Sequence, residues 1–324
     1  MASTIPTDFH VGFQMLASKM KKMGFDEVVT FFTSKGVQCT RIDPQRPIAE
    51  QGDFDVALVK LTDYLVDETD AESRKILENW KNYTETHPEV CIVDPMESQR
   101  LVIDRLDTCK MLQTIHSEMD GVANVRTSRF IELREIPAEL SSVLAGAELS
   151  YPIICKTLAA CGSAESHDMG IAFNEDGLRA FAAPLLLQEY VNHDRSLFKV
   201  FTLGDWFDVV TRSSLPNLEA DDSRENWLFN SQGLNLNIKG TKDESDFLDP
   251  PSTECLRSIT RTLSKCLGLT LFGFDLVTDN KTGKHVIIDI NYFPGYSGVE
   301  DFPQMLLTHL AKCTEAWKAK AKRR

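Results

Sequence analysis

Hydrophobic positions in the first hundred residues recur with two different periods. Short apolar runs predict β-strands, whereas apolar positions at helical spacing predict amphipathic helices. The predicted strands are Phe9–Phe13, Val37–Ile42, Phe54–Lys60 and Val90–Asp94, and the predicted helices between them are Gly24–Gly36 and Asp70–His87. Strands that alternate with helices form a parallel sheet with helices on its faces. This part of the chain is therefore predicted to be a small α/β domain.

The pattern changes after two further helical stretches, Met96–Leu106 and Thr108–Met119. Residues 126–191 predict strand, helix, strand, loop, strand, helix and strand. Two apolar runs then flank Gly204 and Asp205, which is a compact hairpin signal. Residues 216–251 are rich in Asn, Asp, Ser and Gly, and predict a long loop. The remaining predicted elements are the hairpin strands Ser196–Leu203 and Trp206–Arg212, a helix at Thr253–Leu267, a strand pair at Leu271–Thr278 and His285–Tyr292, and a helix from about Pro303.

The last strand pair carries acidic and amide side chains within apolar runs. A five-residue turn joins its strands, which places Asp275 opposite Asp289 in the ladder. Side chains alternate along a strand, so Asp289 and Asn291 are expected on one face. The apolar side chains expected on the other face are Val286, Ile288 and Ile290. Oxygen ligands suit Mg²⁺, and a cation would relieve carboxylate repulsion. The alternative is that these are polar residues on the exposed face of an edge hairpin.

Two lysines also interrupt apolar strands. Lys156 ends the run PIICK and precedes a loop of small residues that extends to His167. Such a loop presents backbone N–H groups and one cation to phosphate. Lys199 lies inside an apolar run, where a lysine needs an anion or a solvent-filled cleft nearby. The alternative for Lys156 is a strand that simply ends in solvent, and a lone His167 would more often be structural.

The segment LLLQEYVNHDRSLFKVF is an apolar strand that ends in a polar turn and then restarts. The edge of such a strand can bind an adenine ring through backbone groups. Arg212 and Ser214 end the following strand. Together with the lysines and the acidic hairpin, these features predict a Mg²⁺–nucleotide site between two sheets. Lys156 and Lys199 would contact phosphates, and Asp275, Asp289 and Asn291 would bind the metal.

Composition and charge narrow the class of protein. The 324-residue chain has a formal net charge of −13, which argues against a nucleic-acid-binding surface. No apolar run is long enough to span a bilayer, and the first residues do not form a secretory signal. Eight scattered cysteines without a CxxC pair indicate reduced thiols and a cytoplasmic location, with the nucleus as the alternative. The basic tail at 317–324 is expected to be the solvated end of the last helix.

Several segments in order, including KLTD, QEYVNH, KVF and DINYFPGY, resemble the inositol 1,3,4-trisphosphate 5/6-kinase (inositol-tetrakisphosphate 1-kinase) family. The resemblance runs from about residue 11 to residue 302. It implies an α/β protein with the ATP-grasp fold, in which a small N-terminal parallel-sheet domain adjoins two lobes that clasp the nucleotide. The domains expected are 1–106 for the inositol phosphate, 107–191 for the central lobe and 192–324 for the C-terminal lobe with the metal.

The resemblance also implies roles for individual residues. Lys156, Lys199 and Arg212 are expected to act in catalysis, and Asp275, Asp289 and Asn291 to hold two Mg²⁺ ions. The ATP contacts implied are Arg105, Lys156, Gln188, Glu189, Tyr190, Val191, Ser214 and Ser231. The substrate contacts implied are Lys19, Lys60, His167, Lys199, Arg212, Asn291 and Gly295. One departure is Cys161, because family members commonly have His or Lys at that position of the small-residue loop.

The implied activity is transfer of the γ-phosphate of ATP to a hydroxyl of an inositol polyphosphate. The implied reactions are phosphorylation of inositol 1,3,4-trisphosphate at position 5 or 6 and of the 3,4,5,6-tetrakisphosphate at position 1. One alternative is an ATP-grasp carboxylate–amine ligase, since one fold hosts many reactions. Such ligases typically carry Glu-x-Asn where this chain has Asp289-x-Asn291. A second alternative is an inositol-phosphate-binding protein without catalysis. We expect a monomer whose partners are small molecules, without nucleic acid or membrane insertion.

Overall fold

The chain folds around three β-sheets. The computed structural model describes residues 8–116, 124–158, 168–221, 223–230 and 247–322. Within these ranges the architecture is mixed α/β, as the sequence predicts. None of the helices there combines the length and the apolar character that crossing a bilayer requires.

The first sheet is the small parallel sheet predicted for the N-terminal region. Its strands are β1 (His10–Gln14), β2 (Gln38–Arg41), β3 (Val56–Val59) and β4 (Cys91–Val93), and they lie in the order β2-β1-β3-β4. The accompanying helices are α1 (Ala17–Lys22), α2 (Phe25–Ser34), α3 (Thr62–Leu65), α4 (Ala71–Thr86) and α5 (Met96–Arg100). Helix α4 begins where predicted, because the Asp70 side chain accepts a hydrogen bond from the backbone N–H of Ser73 at 2.8 Å.

The helix predicted over Met96–Leu106 is wrong in its extent. Helix α5 ends at Arg100, and a new helix, α6 (Arg105–His116), begins after a short turn. The break occurs because the Asp104 carboxylate caps the new helix, with Oδ1 accepting a hydrogen bond from the N–H of Asp107 at 3.0 Å. This cap places Arg105 at the start of α6.

The second sheet contains both predicted hairpins. Its strands are β5 (Val125–Thr127), β10 (Ser196–Leu203), β11 (Trp206–Ser213), β13 (Leu271–Thr278) and β14 (His285–Tyr292), in the order β11-β10-β13-β14-β5. All neighbours are antiparallel except β14 and β5. The nearby helices are α9 (Thr253–Leu267) and α10 (Phe302–Ala321). Helix α9 lies where the amphipathic pattern predicts it, between a Ser252 cap and Gly268.

The third sheet has the order β12-β8-β7-β9-β6. Its strands are β6 (Phe130–Leu133), β7 (Ile153–Lys156), β8 (Asp168–Ala172), β9 (Leu185–Glu189) and β12 (Trp227–Asn230), and its helices are α7 (Leu140–Gly146) and α8 (Glu175–Arg179). The loop predicted over 216–251 is therefore wrong in part, because β12 lies inside it and pairs with β8. Trp227 and Phe229 pack on Ile171 and Phe173, which gives this short strand an apolar side.

One continuous core joins the first sheet to the second. Apolar side chains of β1, α2 and β4 pack in the same cluster as those of β10, β13, β14 and α10. The third sheet has a core of its own, on the side of α7 and α8. The domain boundaries after residues 106 and 191 remain a prediction. The chain passes between the second and third sheets four times, since β5 belongs to the second sheet and β12 to the third.

A network of buried hydrogen bonds also connects the end of β4 to the start of β13. The Asp94 carboxylate follows β4 and accepts hydrogen bonds from the N–H of Thr270 at 2.7 Å, the N–H of Leu271 at 2.8 Å and the Thr270 hydroxyl at 2.8 Å. His309 Nε2 of α10 lies 2.8 Å from the same hydroxyl. Burial raises the pKa of Asp94 to about 6 and lowers the pKa of His309 to about 4.

Candidate active site

The predicted phosphate and metal residues of the second sheet share one face. Cross-strand partners point to the same side of a sheet, and the register pairs Lys199 with Asp275 and Asp275 with Asp289. Asn291, two residues beyond Asp289 on the same strand, also lies on this face. Arg212 is opposite Leu197, which is two residues from Lys199. Five polar side chains from four neighbouring strands are thus brought to one surface.

A β-bulge corrects the predicted alternation along β14. The register shifts between Asp275 and Leu276, so that Leu276 pairs with Ile287 and Ile288 is the extra residue. The prediction that Val286 and Ile288 face away from Asp289 is therefore wrong. Val286 pairs with Val277 and thus shares the carboxylate face. The apolar residues that adjoin the carboxylates form one cluster, which consists of Val191, Leu197, Val277, Val286 and Ile288.

Asp275 is paired with Lys199 inside the protein. The Lys199 ammonium donates to Asp275 Oδ2 at 2.9 Å and to Oδ1 at 3.2 Å. Burial raises the pKa of Asp275, the nearby Lys199 lowers it, and Asp289 raises it again by like-charge repulsion. The Asp289 carboxylate accepts a hydrogen bond from the N–H of Ile290 at 3.0 Å and lies 3.4 Å from Asn291 Nδ2.

This donor set fits a hard divalent cation. Two carboxylates lie directly opposite each other in the ladder, and the side-chain amide of Asn291 is next to them. Mg²⁺ prefers oxygen ligands and usually keeps waters and substrate phosphates as further ligands, so it needs few protein groups. Asp275, Asp289 and Asn291 are thus predicted metal ligands that the register of β13 and β14 brings together.

Lys156 approaches the same carboxylates from the third sheet. It ends β7, and its side chain is 7% exposed. Burial lowers the pKa of Lys156, Asp289 and Asp275 raise it, and Arg105 lowers it further. The ammonium thus lies within electrostatic reach of both aspartates. The third sheet thus adds a cation, Lys156, to the Lys199, Arg212 and carboxylate groups of the second sheet.

Arg105, an expected ATP contact, holds the chain just beyond Lys156. Its guanidinium donates to the backbone oxygen of Thr157 at 3.1 Å and to the Thr157 hydroxyl at 3.2 Å, and its backbone N–H donates to Leu158 at 3.0 Å. The side chain is 6% exposed. The described contacts of Arg105 therefore position the start of the loop that follows β7.

In the expected nucleotide-binding segment Gln188–Val191, the side chains form hydrogen bonds with other residues of the protein. Gln188 Nε2 donates to the Ile288 carbonyl at 3.1 Å, which bridges the third and second sheets. The Glu189 carboxylate accepts hydrogen bonds from Arg126 and Arg129, and the Tyr190 hydroxyl donates to the carbonyl of Pro216. Strand β9 ends at Glu189, so the backbone of the next residues leaves the ladder. Backbone groups, rather than these side chains, would therefore contact an adenine ring.

Lys60 is more deeply buried than a typical phosphate ligand. Its side chain is 8% exposed, and its ammonium donates to the carbonyls of Tyr292 at 2.6 Å and Phe293 at 3.0 Å. The Tyr292 hydroxyl donates in return to the Val59 carbonyl at 2.9 Å. Gln99 supports the β3 side of this clamp, through hydrogen bonds with Val59 and Leu61. These contacts hold the turn that follows Tyr292.

The other expected substrate and nucleotide residues lie around this centre. Lys19 Nζ is 3.8 Å from Asp63 Oδ1, and Arg212 donates to the Ser297 carbonyl at 3.2 Å. Gly295 is exposed in the turn after β14, and a Cβ there would meet no atom within 4 Å. The backbone N–H of Ser214 donates to the Arg195 carbonyl at 2.8 Å. Three residues singled out in the sequence lie outside the described ranges, namely Cys161, His167 and Ser231.

Two positioning residues escaped the sequence analysis. Gln99 is fully buried, accepts from the N–H of Leu61 at 2.8 Å, and donates to the carbonyls of Val59 at 3.0 Å and Asp94 at 2.9 Å. Nothing in its helical surroundings distinguishes Gln99 in the sequence. Asp94 could have been noticed, because it ends a strand of a parallel sheet, where functional groups collect.

Comparison with known proteins identifies the family. Residues 119–312 match the family model for the inositol 1,3,4-trisphosphate 5/6-kinase ATP-grasp domain, and residues 10–98 match that for the pre-ATP-grasp domain of the same kinases. The chain is 34% identical to an inositol-tetrakisphosphate 1-kinase of Xenopus laevis over 309 residues, which cover 93% of this chain and 78% of the relative. It is 31% identical to inositol-tetrakisphosphate 1-kinase 1 of Arabidopsis thaliana, covering 94% of this chain and 96% of the relative.

Solved structures agree on the fold. A D-alanine–D-alanine ligase from Bacillus anthracis superposes with a TM-score of 0.60 at 12% identity, covering 97% of this chain and all of the ligase. The ATP-grasp ligase PsnB gives a TM-score of 0.58 at 14% identity, covering 95% and 100%. At such identities the likeness shows the fold alone. The chain therefore has the ATP-grasp fold and belongs to the inositol 1,3,4-trisphosphate 5/6-kinase family of inositol polyphosphate kinases.

Proposed function

We propose that the protein transfers the γ-phosphate of ATP to a ring hydroxyl of an inositol polyphosphate, with Mg²⁺ as cofactor. The proposed acceptors are inositol 1,3,4-trisphosphate at position 5 or 6 and inositol 3,4,5,6-tetrakisphosphate at position 1. The names of the curated relatives support this substrate class. The observation that carries the proposal is the shared face of Lys199, Asp275 and Asp289, which Lys156 approaches from the other sheet.

The proposed chemistry requires positioning and charge neutralisation, because phosphoryl transfer has little need of covalent participation by the protein. Asp275, Asp289 and Asn291 would hold two Mg²⁺ ions, which when bound neutralise the charge of the β- and γ-phosphates. Lys156 is desolvated, so its ammonium would interact strongly with a phosphate oxygen. No step in this scheme forms a phosphorylated protein residue.

Lys199 would exchange one partner for another during binding. In the ligand-free protein its ammonium neutralises Asp275 at 2.9 Å. A cation at Asp275 would take over that carboxylate and release the ammonium for a phosphate. Arg212 lies on the same face and can present a guanidinium fork, which binds phosphate oxygens in pairs. Lys19, Lys60, His167 and Gly295 remain proposed contacts of the inositol phosphate.

The nucleotide is proposed to lie between the second and third sheets. The apolar cluster around Val191 and Ile288 adjoins the carboxylates and would offer an apolar wall to the adenine ring. Gln188, Glu189, Tyr190 and Val191 would contribute backbone groups, while Arg105, Ser214 and Ser231 remain proposed contacts of ATP. The enzyme is proposed to act as a monomer in the cytoplasm, with the nucleus as the alternative.

The test is ADP production from ATP and Mg²⁺ across inositol tris- to hexakisphosphates, with free inositol and amino-acid pairs as controls. Turnover on a tris- or tetrakisphosphate is expected. Activity that needs a carboxylate and an amine would identify a ligase, and ligand binding without any turnover would leave a binding protein.

The Asp289→Ala variant tests the metal assignment. We expect at least a hundredfold loss of turnover with the fold intact, because Asp289 is one of two carboxylates proposed to hold the cations. Asp205→Ala is a matched control, since Asp205 is an exposed aspartate in the turn between β10 and β11. Equal turnover in the two variants would refute the metal site.

A further inference from the structure

The carboxyl edge of the first sheet contains a cleft that the proposed reaction does not use. Its volume is about 350 Å³, and it opens where β1 and β2 end. Its polar side chains are Gln14, Arg41, Asp43 and Tyr64. Ligands of parallel α/β sheets bind at the carboxyl ends of the strands. The position of the cleft is therefore one where a ligand is expected.

Gln14 brings an unsatisfied amide to this cleft. Its side chain is 2% exposed, and Nε2 donates to the Tyr64 hydroxyl at 3.3 Å. The buried Oε1 has no hydrogen-bond partner among the described residues. Exchanging the two ends of the amide lets Oε1 accept from the Tyr64 hydroxyl and leaves Nε2 as the group without a partner. A buried donor without a partner is costly, and an anion oxygen in the cleft would satisfy it.

Arg41 supplies a guanidinium that forms no ion pair with any described residue. It ends β2, its side chain is exposed, and within the described part of the chain it has no hydrogen bond or ion pair. The acidic neighbour in the cleft, Asp43, accepts a hydrogen bond from the N–H of Gln45 at 3.0 Å. A guanidinium in this position can bind phosphate through two parallel hydrogen bonds.

The cleft adjoins Lys19, one of the two N-terminal lysines of the proposed substrate site. Ala17 lines the cleft and begins α1, the helix that carries Lys19. Lys19 contacts Asp63, which directly precedes Tyr64. A substrate phosphate near Lys19 would therefore have the cleft beside it.

We propose that this cleft is a further anion subsite, which takes a substrate phosphate that Lys19 and Lys60 do not bind. Arg41 would provide the bidentate contact, and Gln14 Nε2 would donate to a remaining oxygen while its Oε1 accepts from the Tyr64 hydroxyl. The inference rests on the proposed function for the identity of the ligand. It makes Arg41 a specificity-determining residue that favours more highly phosphorylated inositols.

The first test measures binding of inositol hexakisphosphate to ATP-free protein by titration calorimetry. Arg41→Ala should weaken binding about tenfold, the loss typical of one charged hydrogen-bonded contact. Arg46→Ala is the matched control, because Arg46 is an exposed arginine in the loop that follows β2. We expect less than a twofold effect there. Equal losses in the two variants would mean that only the overall charge matters and would overturn the proposal.

A second variant separates binding from stability. Gln14→Met removes the unsatisfied amide while keeping the length of the side chain. We expect an unchanged or higher Tm together with several-fold weaker binding of the same probe. A lower Tm with unchanged binding would assign Gln14 a purely structural role and refute the subsite.

These experiments distinguish a failure of the subsite proposal from a failure of the proposed kinase reaction. Binding that depends on Arg41 in a protein without turnover on any inositol phosphate would support the subsite and contradict the kinase reaction. Normal turnover with indistinguishable Arg41 and Arg46 variants would support the kinase reaction and refute the subsite.

Discussion

At the scale of single residues, the contact between Lys199 and Asp275 determines how the site receives a cation. The ammonium lies 2.9 Å from one carboxylate oxygen and 3.2 Å from the other. Under the proposed function, Lys199 would compete with a cation for Asp275. Once released, the same lysine would be available to bind phosphate.

This competition predicts opposite effects on metal binding and turnover. Lys199→Met should bind Mn²⁺ about threefold to tenfold more tightly without nucleotide, because a partly exposed ion pair no longer competes. Turnover should fall, because a phosphate contact is lost. Titration of Mn²⁺ followed by electron paramagnetic resonance measures the first effect, and ADP production measures the second. Unchanged or weaker Mn²⁺ binding would contradict the exchange of partners.

At the scale of elements, the clamp between β3 and β14 holds the turn after Tyr292. Gln99 makes two buried hydrogen bonds at the end of β3 and one to the Asp94 carbonyl after β4. The Tyr292 hydroxyl makes one, to a carbonyl that Gln99 also contacts. Removing Gln99 would leave the N–H of Leu61 buried without a partner. Removing the hydroxyl of Tyr292 would leave the Val59 carbonyl with its bond from Gln99.

Gln99 and the Tyr292 hydroxyl should therefore contribute unequally to the free energy of unfolding. Gln99→Leu should lower the free energy of unfolding by about 3 kcal/mol, and Tyr292→Phe by about 1 kcal/mol, since an unsatisfied buried group costs more than a lost bond. Urea unfolding at constant pH compares both variants with the wild type. An equal or larger effect of Tyr292→Phe would show that the hydroxyl, and not Gln99, carries the clamp.

At the scale of the whole molecule, Asp94 and His309 couple the packing of the first and second sheets to pH. The folded protein raises the pKa of Asp94 to about 6, so the folded state binds more protons than the unfolded state between about pH 4 and 6. This contribution lowers stability as pH rises. His309 has a lowered pKa of about 4, so its contribution raises stability with pH between about 4 and 6.5. The two contributions nearly cancel.

Removing the histidine should reveal the effect of the aspartate. In His309→Gln, the change in unfolding free energy from pH 4.5 to 6.0 should be more negative than in the wild type by about 2 kcal/mol. Urea unfolding at both pH values measures this difference. His87→Gln, at the end of α4, controls for the loss of a histidine elsewhere. Parallel pH dependences in all three proteins would contradict the opposing titrations.

Local sequence patterns predict most of the helices and strands and the central residues of the candidate site. The predicted five-residue turn would pair residue 279 with His285, whereas the structure pairs Thr278 with His285. The opposition of Asp275 and Asp289 is nevertheless as predicted, because the bulge at Ile288 compensates for the longer turn. The bulge itself was not predictable from local alternation. The partners of Lys60 are separated from it by 232 and 233 residues, a distance at which no local pattern carries information. Strand β12 was missed because four residues give too short a pattern.

The bulge at Ile288 has an evolutionary consequence. Substitutions along β14 can be selected one at a time, since each changes a single side chain. Deleting Ile288 would also be a local change, because it restores regular alternation and leaves every pair of the ladder in place. A residue gained or lost between Asp289 and Asn291 would instead move these two side chains to opposite faces. This end of the strand should therefore tolerate changes of residue far better than changes of length. Insertions and deletions in this hairpin can be accommodated in the exposed turn at 279–284, where an extra residue disturbs neither face of the sheet.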